Sequence, residues 1–106
     1  MLDSLSLKLQ ALSDPTRRAI LAKLKSGKAT VNELAEPFAI TLPAISKHIK
    51  VLENAGLITR SRNAQQRPCK LSTGGLKEVD DWMNNYREMW EQRLDRLENY
   101  IEKIKE

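Results

Sequence analysis

The sequence predicts a mainly α-helical fold that carries one small β-hairpin and ends in a long helix. Apolar residues recur at helical spacing in several short segments before residue 55, and residues 57–71 are rich in strand formers around a polar tip. One apolar stripe then runs from residue 76 to residue 104. The 106 residues suffice for one domain and an appended helix. We therefore divide the chain into a domain of residues 1–72 and a C-terminal helix of residues 73–106.

The first two helices are predicted from leucine spacing and from a start signal. Four leucines recur at helical spacing within residues 2–12, which predicts a short first helix. Asp14 is a favourable N-cap for the second helix, and Pro15 fits its first position, where a missing N–H costs nothing. Arg17 and Arg18 follow Asp14 by three and four residues, a spacing that favours ion pairing within the helix.

Two further helices are predicted from their capping residues. Thr30 caps the third helix, and Glu33 completes a capping box three residues later. Thr41 caps the fourth helix, which we place at residues 42–54. The inward face of this fourth helix is an aliphatic stripe made of Ile45, Ile49, Leu52 and the neighbouring Val51.

A β-hairpin is predicted over residues 57–71. Its polar tip, residues 63–66, lacks an Asn-Gly or Asp-Gly pair, so the sequence leaves the turn type open. Cys69 lies on the second strand and is predicted to be a small buried hydrophobe. A redox-sensing thiol, favoured by the nearby Arg67 and Lys70, is the alternative for this residue.

From Thr73 onward the sequence predicts one long helix. Its apolar residues are three or four apart with one irregular step, which is close to a heptad seam. About 30 residues at 1.5 Å each make a rod roughly 45 Å long, too long for residues 2–72 to cover. The distal part is therefore predicted to pack on a second copy of the chain. The seam consists of Leu76, Val79, Met83, Tyr86, Trp90, Leu94, Leu97, Ile101 and Ile104, widened by Trp82, Met89 and Tyr100.

Basic residues are concentrated in the middle of the chain. The whole sequence has 18 Lys and Arg against 14 Asp and Glu, yet residues 1–72 carry a net charge of +7 and residues 73–106 one of −3. Within residues 41–72, Glu53 is the single acid among six bases. Such a segment favours a polyanionic partner, and a solvated charged face is the alternative.

The residue counts exclude several classes of function. A single cysteine cannot form an internal disulfide. One cysteine and one histidine do not make a zinc ligand set, and they do not provide a catalytic nucleophile together with a base and a residue that orients it. Neither enzyme activity nor a cofactor is therefore expected. We recognise no membrane-spanning run and no signal peptide, so the expected location is the cytoplasm, away from membranes.

Short helices followed by a basic hairpin predict a winged helix-turn-helix arrangement. In it, the helix of residues 42–54 enters the major groove of DNA by its N-terminal end, and the hairpin lies over phosphates or the minor groove. Ser46 and Lys47 can donate to base acceptors or phosphates, and apolar side chains of the first turn can contact a thymine methyl. The residues predicted to contact DNA are Thr30, Thr41, Leu42, Pro43, Ala44, Ser46, Lys47, His48, Lys50, Arg60, Arg62, Gln65, Gln66 and Arg67.

At these residues the chain resembles the ArsR-type family of bacterial winged-helix repressors. Residues 14–21, Asp-Pro-Thr-Arg-Arg-Ala-Ile-Leu, are similar to the family's opening signature. Residues 42–52, Leu-Pro-Ala-Ile-Ser-Lys-His-Ile-Lys-Val-Leu, and residues 55–58 are similar to its reading helix and to the strand that follows. Several blocks occur in order at the right intervals over about residues 5–72, which makes the resemblance specific.

The resemblance implies a homodimeric repressor whose first and last helices form the dimer contact. The Arg-Pro-Cys run at residues 67–69 and the aromatic residues of the last helix are further similar to a metal-free branch of the family. Metal-sensing members carry a Cys-x-Cys in the third helix or His-containing pairs in the last helix, and this chain has neither. No metal response is therefore expected, and the implied partners are a pseudo-palindromic DNA operator and a second copy. The implied dimer interface consists of Leu2, Leu5, Leu9, Trp82, Met83, Tyr86, Trp90, Leu94, Leu97 and Ile101.

Two alternatives stay open for the last helix. A pocket lined by Trp82, Met83, Tyr86 and Met89 is where a small organic effector would fit, if the protein has one. The chain could instead be a protein-interaction module whose long helix binds a different protein partner. Such a module has no evident need for the basic segment of residues 41–72.

Overall fold

A computed structural model describes residues 2–62 and 65–105 of the chain and confirms the predicted fold class. The predicted hairpin tip falls partly on Asn63 and Ala64, which lie outside the described residues, as do Met1 and Glu106 at the chain ends. The elements are α1 (Ser4–Leu12), α2 (Pro15–Leu24), α3 (Val31–Ala35), α4 (Leu42–Asn54), β1 (Ile58–Arg60), β2 (Cys69–Leu71) and α5 (Thr73–Lys105).

Each of the first four helices begins at a side chain that accepts a hydrogen bond from its own first turn. Thr30 and Glu33 form the predicted capping box, with reciprocal bonds of 3.2 Å and 3.0 Å. α1 begins at Ser4 and not at residue 2, because the Asp3 carboxylate accepts from the Ser6 N–H at 2.7 Å. The four caps are Asp3, Asp14, Thr30 and Thr41.

The core is formed by the inward faces of α2, α3 and α4 with the hairpin. The predicted stripe of α4 is confirmed for Ile45, Ile49 and Leu52, which are buried. The prediction that Val51 belongs to this inward stripe is wrong, because Val51 is 39% exposed. It lies two residues after Ile49, about 200° further round the helix, and so faces away from the core. The remaining buried apolar residues are Ala11, Ile20, Leu21, Leu24, Leu34, Ala55, Leu57, Ile58 and Cys69.

α1 buries a lysine where the sequence pattern predicts leucines. Lys8 is only 5% exposed, whereas Leu2 and Leu9 are exposed. The Lys8 ammonium donates to Ser4 Oγ at 2.8 Å and lies 3.2 Å from Glu78 Oε2 on α5. These partners offset the cost of removing the ammonium from water. The lysine thereby joins α1 to the first turns of α5.

The hairpin is extended by a third, very short strand. β1 and β2 pair in antiparallel register, with Thr59 opposite Lys70. On the other edge of β2, Ala29 and Cys69 exchange two backbone hydrogen bonds, of 2.9 Å and 2.7 Å. This pairing places the loop between α2 and α3 against the wing, a contact that the sequence analysis did not predict.

α5 is a single helix of 33 residues, which corresponds to a length of about 50 Å. Its start is packed closely on the body, since an added Cβ at Gly75 would lie 1.9 Å from the carbonyl oxygen of Gly56. Leu76 also packs against the core, whereas every residue from Asp80 to Lys105 is exposed. Most of the predicted apolar stripe therefore has no cover within a single chain.

Across the described residues, no helix combines the length and the apolar composition needed to cross a membrane.

Candidate nucleic-acid interface

α3 and α4 form the predicted helix-turn-helix pair, in which the buried stripe of α4 fixes the orientation of that helix. Because Ile45 and Ile49 face the core, the side chains on the opposite face of α4 point outward. The predicted contact residues on this side are exposed, apart from the half-buried Ala44: Thr41, Leu42, Pro43, Ser46, Lys47 and Lys50. The structure therefore brings the predicted base-contacting residues together at one end of α4.

Two of the predicted contact residues also cap helices. Thr41 Oγ1 accepts from the Ala44 N–H at 3.3 Å, so its hydroxyl position is fixed at the start of α4. Thr30 is half-buried at the start of α3, where its hydroxyl accepts from the Glu33 N–H. In return the Thr30 backbone N–H donates to the Glu33 carboxylate at 3.0 Å, and this bond keeps the pKa of the carboxyl below its ordinary value. The Thr30 hydroxyl acts as an acceptor in this bond and keeps its O–H as a donor.

His48 lies on the side of α4 that turns towards α2, unlike the outward-facing residues around it. Its imidazole is half-buried, with Nδ1 3.3 Å from an Arg17 guanidinium nitrogen and 3.9 Å from Asp14 Oδ2. Direct contact between His48 and DNA stays a prediction, and in the free protein the imidazole contacts Arg17. The backbone N–H of Arg17 and, secondarily, the nearby His48 keep the pKa of Asp14 below its ordinary value. His48 thus connects the reading helix to the start of α2.

Arg17 and Arg18 stabilise the end of α1 instead of pairing with Asp14 along α2. Arg17 Nε donates to the carbonyl oxygen of Ala11 at 2.7 Å, and a second Arg17 nitrogen donates to that of Gln10 at 3.1 Å. Arg18 donates to the carbonyl oxygen of Leu12 at 2.6 Å. These are the carbonyls that a helix leaves without internal partners, so both arginines act as C-terminal caps.

The arginines of the wing lie at the end of the hairpin that leads into its tip. Arg60 is half-buried and its Nε donates to the carbonyl oxygen of Arg67 at 3.2 Å, which ties the two strands together. Arg67 itself adopts a positive φ of 43° and is exposed. The other predicted wing residues, Arg62, Gln65 and Gln66, are also exposed. The structure therefore brings the predicted wing residues together, with Arg60 serving partly as a strand tie.

Cys69 is buried, in agreement with its prediction as a small hydrophobe. Its side chain belongs to the core, and burial raises the pKa of the thiol, although the Arg60 charge acts in the opposite direction. A buried thiol with a raised pKa is protonated at neutral pH and reacts slowly. This environment disfavours the redox-sensing alternative.

The predicted dimer residues of α5 are all exposed in the single chain. Trp82 and Tyr86 pack edge to face, with ring centroids 5.5 Å apart at 64°. Together with Met83, Met89, Trp90 and Arg87 they line an apolar groove of about 440 Å³, which includes the predicted effector pocket. On α1, Leu2 and Leu9 are exposed and Leu5 is half-buried.

Two acidic residues near the start of α5, Asp80 and Asp81, are engaged in ion pairs. Asp80 lies 2.6 Å from an Arg87 guanidinium nitrogen, and Asp81 lies 3.0 Å from the Lys77 ammonium. Over residues 2–62 and 65–105, no group of three His, Cys, Asp or Glu side chains is arranged to hold a metal ion.

Comparison with known proteins identifies several relatives. A family described as a helix-turn-helix domain matches residues 12–61. The transcriptional repressor SdpR of Bacillus subtilis (strain 168) is 42% identical over 77 residues, which cover 73% of this chain and 86% of that protein.

Two solved structures share the fold. The crystal structure of an ArsR family transcriptional regulator superposes with a TM-score of 0.76 and 42% sequence identity, covering 84% of this chain and 98% of that one. The homodimeric winged helix-turn-helix DNA-binding domain of a possible ArsR-family regulator from Mycobacterium bovis has a TM-score of 0.65 at 19% identity, covering 81% and 80%. At that identity the second likeness concerns the fold alone.

Proposed function

This chain belongs to the ArsR family of winged helix-turn-helix transcriptional regulators, and on that premise we propose that it is a homodimeric, sequence-specific repressor acting in the cytoplasm. Proteins of this family regulate transcription by binding DNA and are not enzymes. The Bacillus relative is a repressor, which supports the same direction of regulation here. The exposed apolar stripe of α5 supports a twofold assembly.

The observation that carries the proposal is the orientation of α4. Its aliphatic stripe is buried, so the first turn and the side chains of Ser46 and Lys47 face solvent. The segment of residues 41–72 has a net charge of +5, which attracts the phosphates of a duplex. In the proposed complex, the start of α4 enters the major groove, where Ser46 and Lys47 donate to base acceptors.

The wing supplies contacts of a different kind. Arg62 and Arg67 are exposed at the end of the hairpin, where they can neutralise phosphates or enter the minor groove. Because α4 presents few side chains able to make two hydrogen bonds to one base, part of the specificity is assigned to DNA shape. Twofold symmetry then requires a pseudo-palindromic operator with half-sites about one helical turn apart, or a small multiple of that distance.

The proposal is tested by selecting bound sequences from a random DNA pool and measuring their affinity at several salt concentrations. Arg62→Ala and Arg67→Ala should weaken operator and random DNA alike, and each should reduce the slope of log affinity against log salt by about 0.9. Ser46→Ala and Lys47→Ala should instead reduce the preference for the operator over random DNA. Arg96→Ala, in the exposed part of α5, is a control that removes one charge away from the proposed interface.

Two results would contradict the proposal. A wild-type protein that does not bind duplex DNA at low salt would exclude DNA-binding regulation by this chain and favour the protein-interaction module. Equal losses on operator and random DNA for Ser46→Ala and Lys47→Ala would exclude base reading by the start of α4.

We also propose that DNA release does not depend on a metal ion. Residues 33–36, at the end of α3, are Glu-Leu-Ala-Glu and offer no thiolate ligand. On α5, Asp80 and Asp81 are already paired with Arg87 and Lys77. Operator affinity measured with and without added zinc, nickel or arsenite should be the same. A loss of affinity with any of these, reversed by a chelator, would overturn this part of the proposal.

An organic effector, if one acts on this protein, is assigned to the groove between Trp82, Tyr86 and Trp90 on α5. The groove is apolar and large enough for a small aromatic compound, with Arg87 at its border. Tryptophan fluorescence during titration with a panel of aromatic acids and bases reports binding there, and Trp82→Leu should abolish the response. A response that persists in this variant would place the effector site elsewhere.

A further inference from the structure

A second basic surface lies on the outer face of the wing. It is a groove of about 370 Å³ whose lining includes four cationic residues and no acid. Two of these cations, Lys28 and Lys70, are not among the DNA contacts predicted from the sequence. The lining residues are Lys28, Thr59, Arg60, Ser61, Arg62, Pro68 and Lys70.

The backbone register explains why Lys28 and Lys70 meet. Ala29 pairs with Cys69 in antiparallel fashion. Lys28, which precedes Ala29, therefore lies opposite Lys70, which follows Cys69. Lys70 is in turn paired with Thr59 on β1. Because neighbouring side chains alternate between the two faces of a sheet and Cys69 faces the core, Lys28, Lys70 and Thr59 form a row on the outer face.

This arrangement places two like charges side by side without compensation. Like charges directly opposite each other on a sheet are destabilising. In the part of the chain that the structure describes, neither Lys28, Lys70 nor Arg62 forms an ion pair. An anion bound in this groove would offset the repulsion between Lys28 and Lys70.

We propose that this groove binds a backbone phosphate of the operator duplex, through Lys28 and Lys70, in addition to the phosphates contacted by the wing tip. The inference rests on the proposed function and adds to it a contact from the loop between α2 and α3. A DNA phosphate is the favoured anion because Arg62 borders both this groove and the exposed end of the hairpin. The Thr59 hydroxyl can add a hydrogen bond to a phosphate oxygen.

The test compares the wild-type chain with Lys28→Gln Lys70→Gln on the selected operator between 50 and 200 mM salt. Each neutralised phosphate contributes about 0.9 to the slope of log affinity against log salt, so the double variant, which loses one, should have a slope lower by about 0.9. The wild type should then lose roughly 3.5-fold more affinity than the variant over this range. Lys103→Gln Lys105→Gln removes the same net charge at the far end of α5 and should leave the slope unchanged.

A second measurement guards against a merely structural role for the lysines. If the two ammonium groups repel each other, Lys28→Gln should raise the unfolding temperature of the free protein at low salt or leave it unchanged. A clear fall in the unfolding temperature would show that Lys28 stabilises the fold, and would overturn the proposal.

The outcomes separate this inference from the proposed function. If the wild type does not bind the duplex, the proposed function fails. If the wild type binds and Arg62→Ala lowers the slope but Lys28→Gln Lys70→Gln does not, only the groove assignment fails. If, with that slope unchanged, inorganic phosphate shifts the NMR signals of Lys28 and Lys70, the groove is a site for a small free anion and the DNA assignment is wrong.

Discussion

Replacing Trp90 by alanine should dissociate the proposed dimer. Trp90 is 61% exposed in the single chain, and a tryptophan has about 250 Å² to bury, so roughly 150 Å² is open to a partner. If the partner covers half of this area, the loss is about 2 kcal/mol at 25 cal/mol per Å². A twofold dimer contains the substitution twice, so the loss is about 4 kcal/mol and the dimer Kd rises roughly a thousand-fold.

Sedimentation velocity over a dilution series measures this change directly. Trp90→Ala should shift the transition from dimer to monomer to much higher concentration, and adding Leu97→Ala should leave monomers throughout. Leu42→Ala is the matched control, because Leu42 is 48% exposed but lies at the start of α4. It should leave the dimer Kd unchanged and weaken operator binding instead.

A Trp90→Ala Leu97→Ala protein that sediments like the wild type would refute this reasoning. The partner contact would then lie away from the α5 stripe, and the exposed leucines of α1 would be the next surface to test. A Leu42→Ala protein that dissociates would equally contradict the assignment, since it would place the start of α4 in the dimer contact.

Three further predictions concern the body of the protein. Ile49→Ala should lower the free energy of unfolding by about 2–5 kcal/mol in urea titration, whereas Val51→Ala should change it by less than about 1 kcal/mol; similar losses would contradict the burial pattern. Gly75→Ala should destabilise the fold by about 1–3 kcal/mol, because the added Cβ would lie 1.9 Å from a backbone carbonyl oxygen. Gly74→Ala, with no atom within 4 Å, should be tolerated; equal thermal shifts for the two glycines would refute this. The folded-state pKa of Asp14 is below its ordinary value of 3.8, so its contribution is complete above about pH 4 and is lost on further acidification. Asp14→Asn should therefore flatten the acid limb of the unfolding temperature against pH, and an unchanged limb would exclude Asp14 as its source.

Much of the fold could be predicted because its signals are local. A capping side chain acts on the N–H two or three residues later, so Asp14, Thr30 and Thr41 are readable from spacing alone. The aliphatic stripe of α4 is equally local, and it determines which side of the helix faces outward. The candidate DNA face follows from these two features without any knowledge of tertiary contacts.

Apart from Val51, the errors arise where distant parts of the chain meet. The leucine pattern of α1 does not reveal that Lys8 is turned inward, because its partner Glu78 lies 70 residues later. The pairing of Ala29 with Cys69 could not be predicted, because only the segment of Cys69 has the composition of a strand. The contact between His48 on α4 and Arg17 on α2 also joins residues far apart in sequence. The charge pattern pointed to residues 41–72, but only the sheet register shows that Lys28 belongs beside Lys70.

The uncovered length of α5 has a consequence for how much working regulator a cell holds. A lone helix of this kind is only marginally stable in water, and from residue 80 onward α5 gains nothing from the rest of its own chain. Its ordered state in the proposed assembly is therefore supplied by the other subunit and depends on encounter between protomers. In the proposed assembly, the fraction of protein with an ordered α5 therefore depends on the protomer concentration relative to the dimer Kd. Below that concentration the C-terminal part of α5 is expected to fray and to be open to proteases.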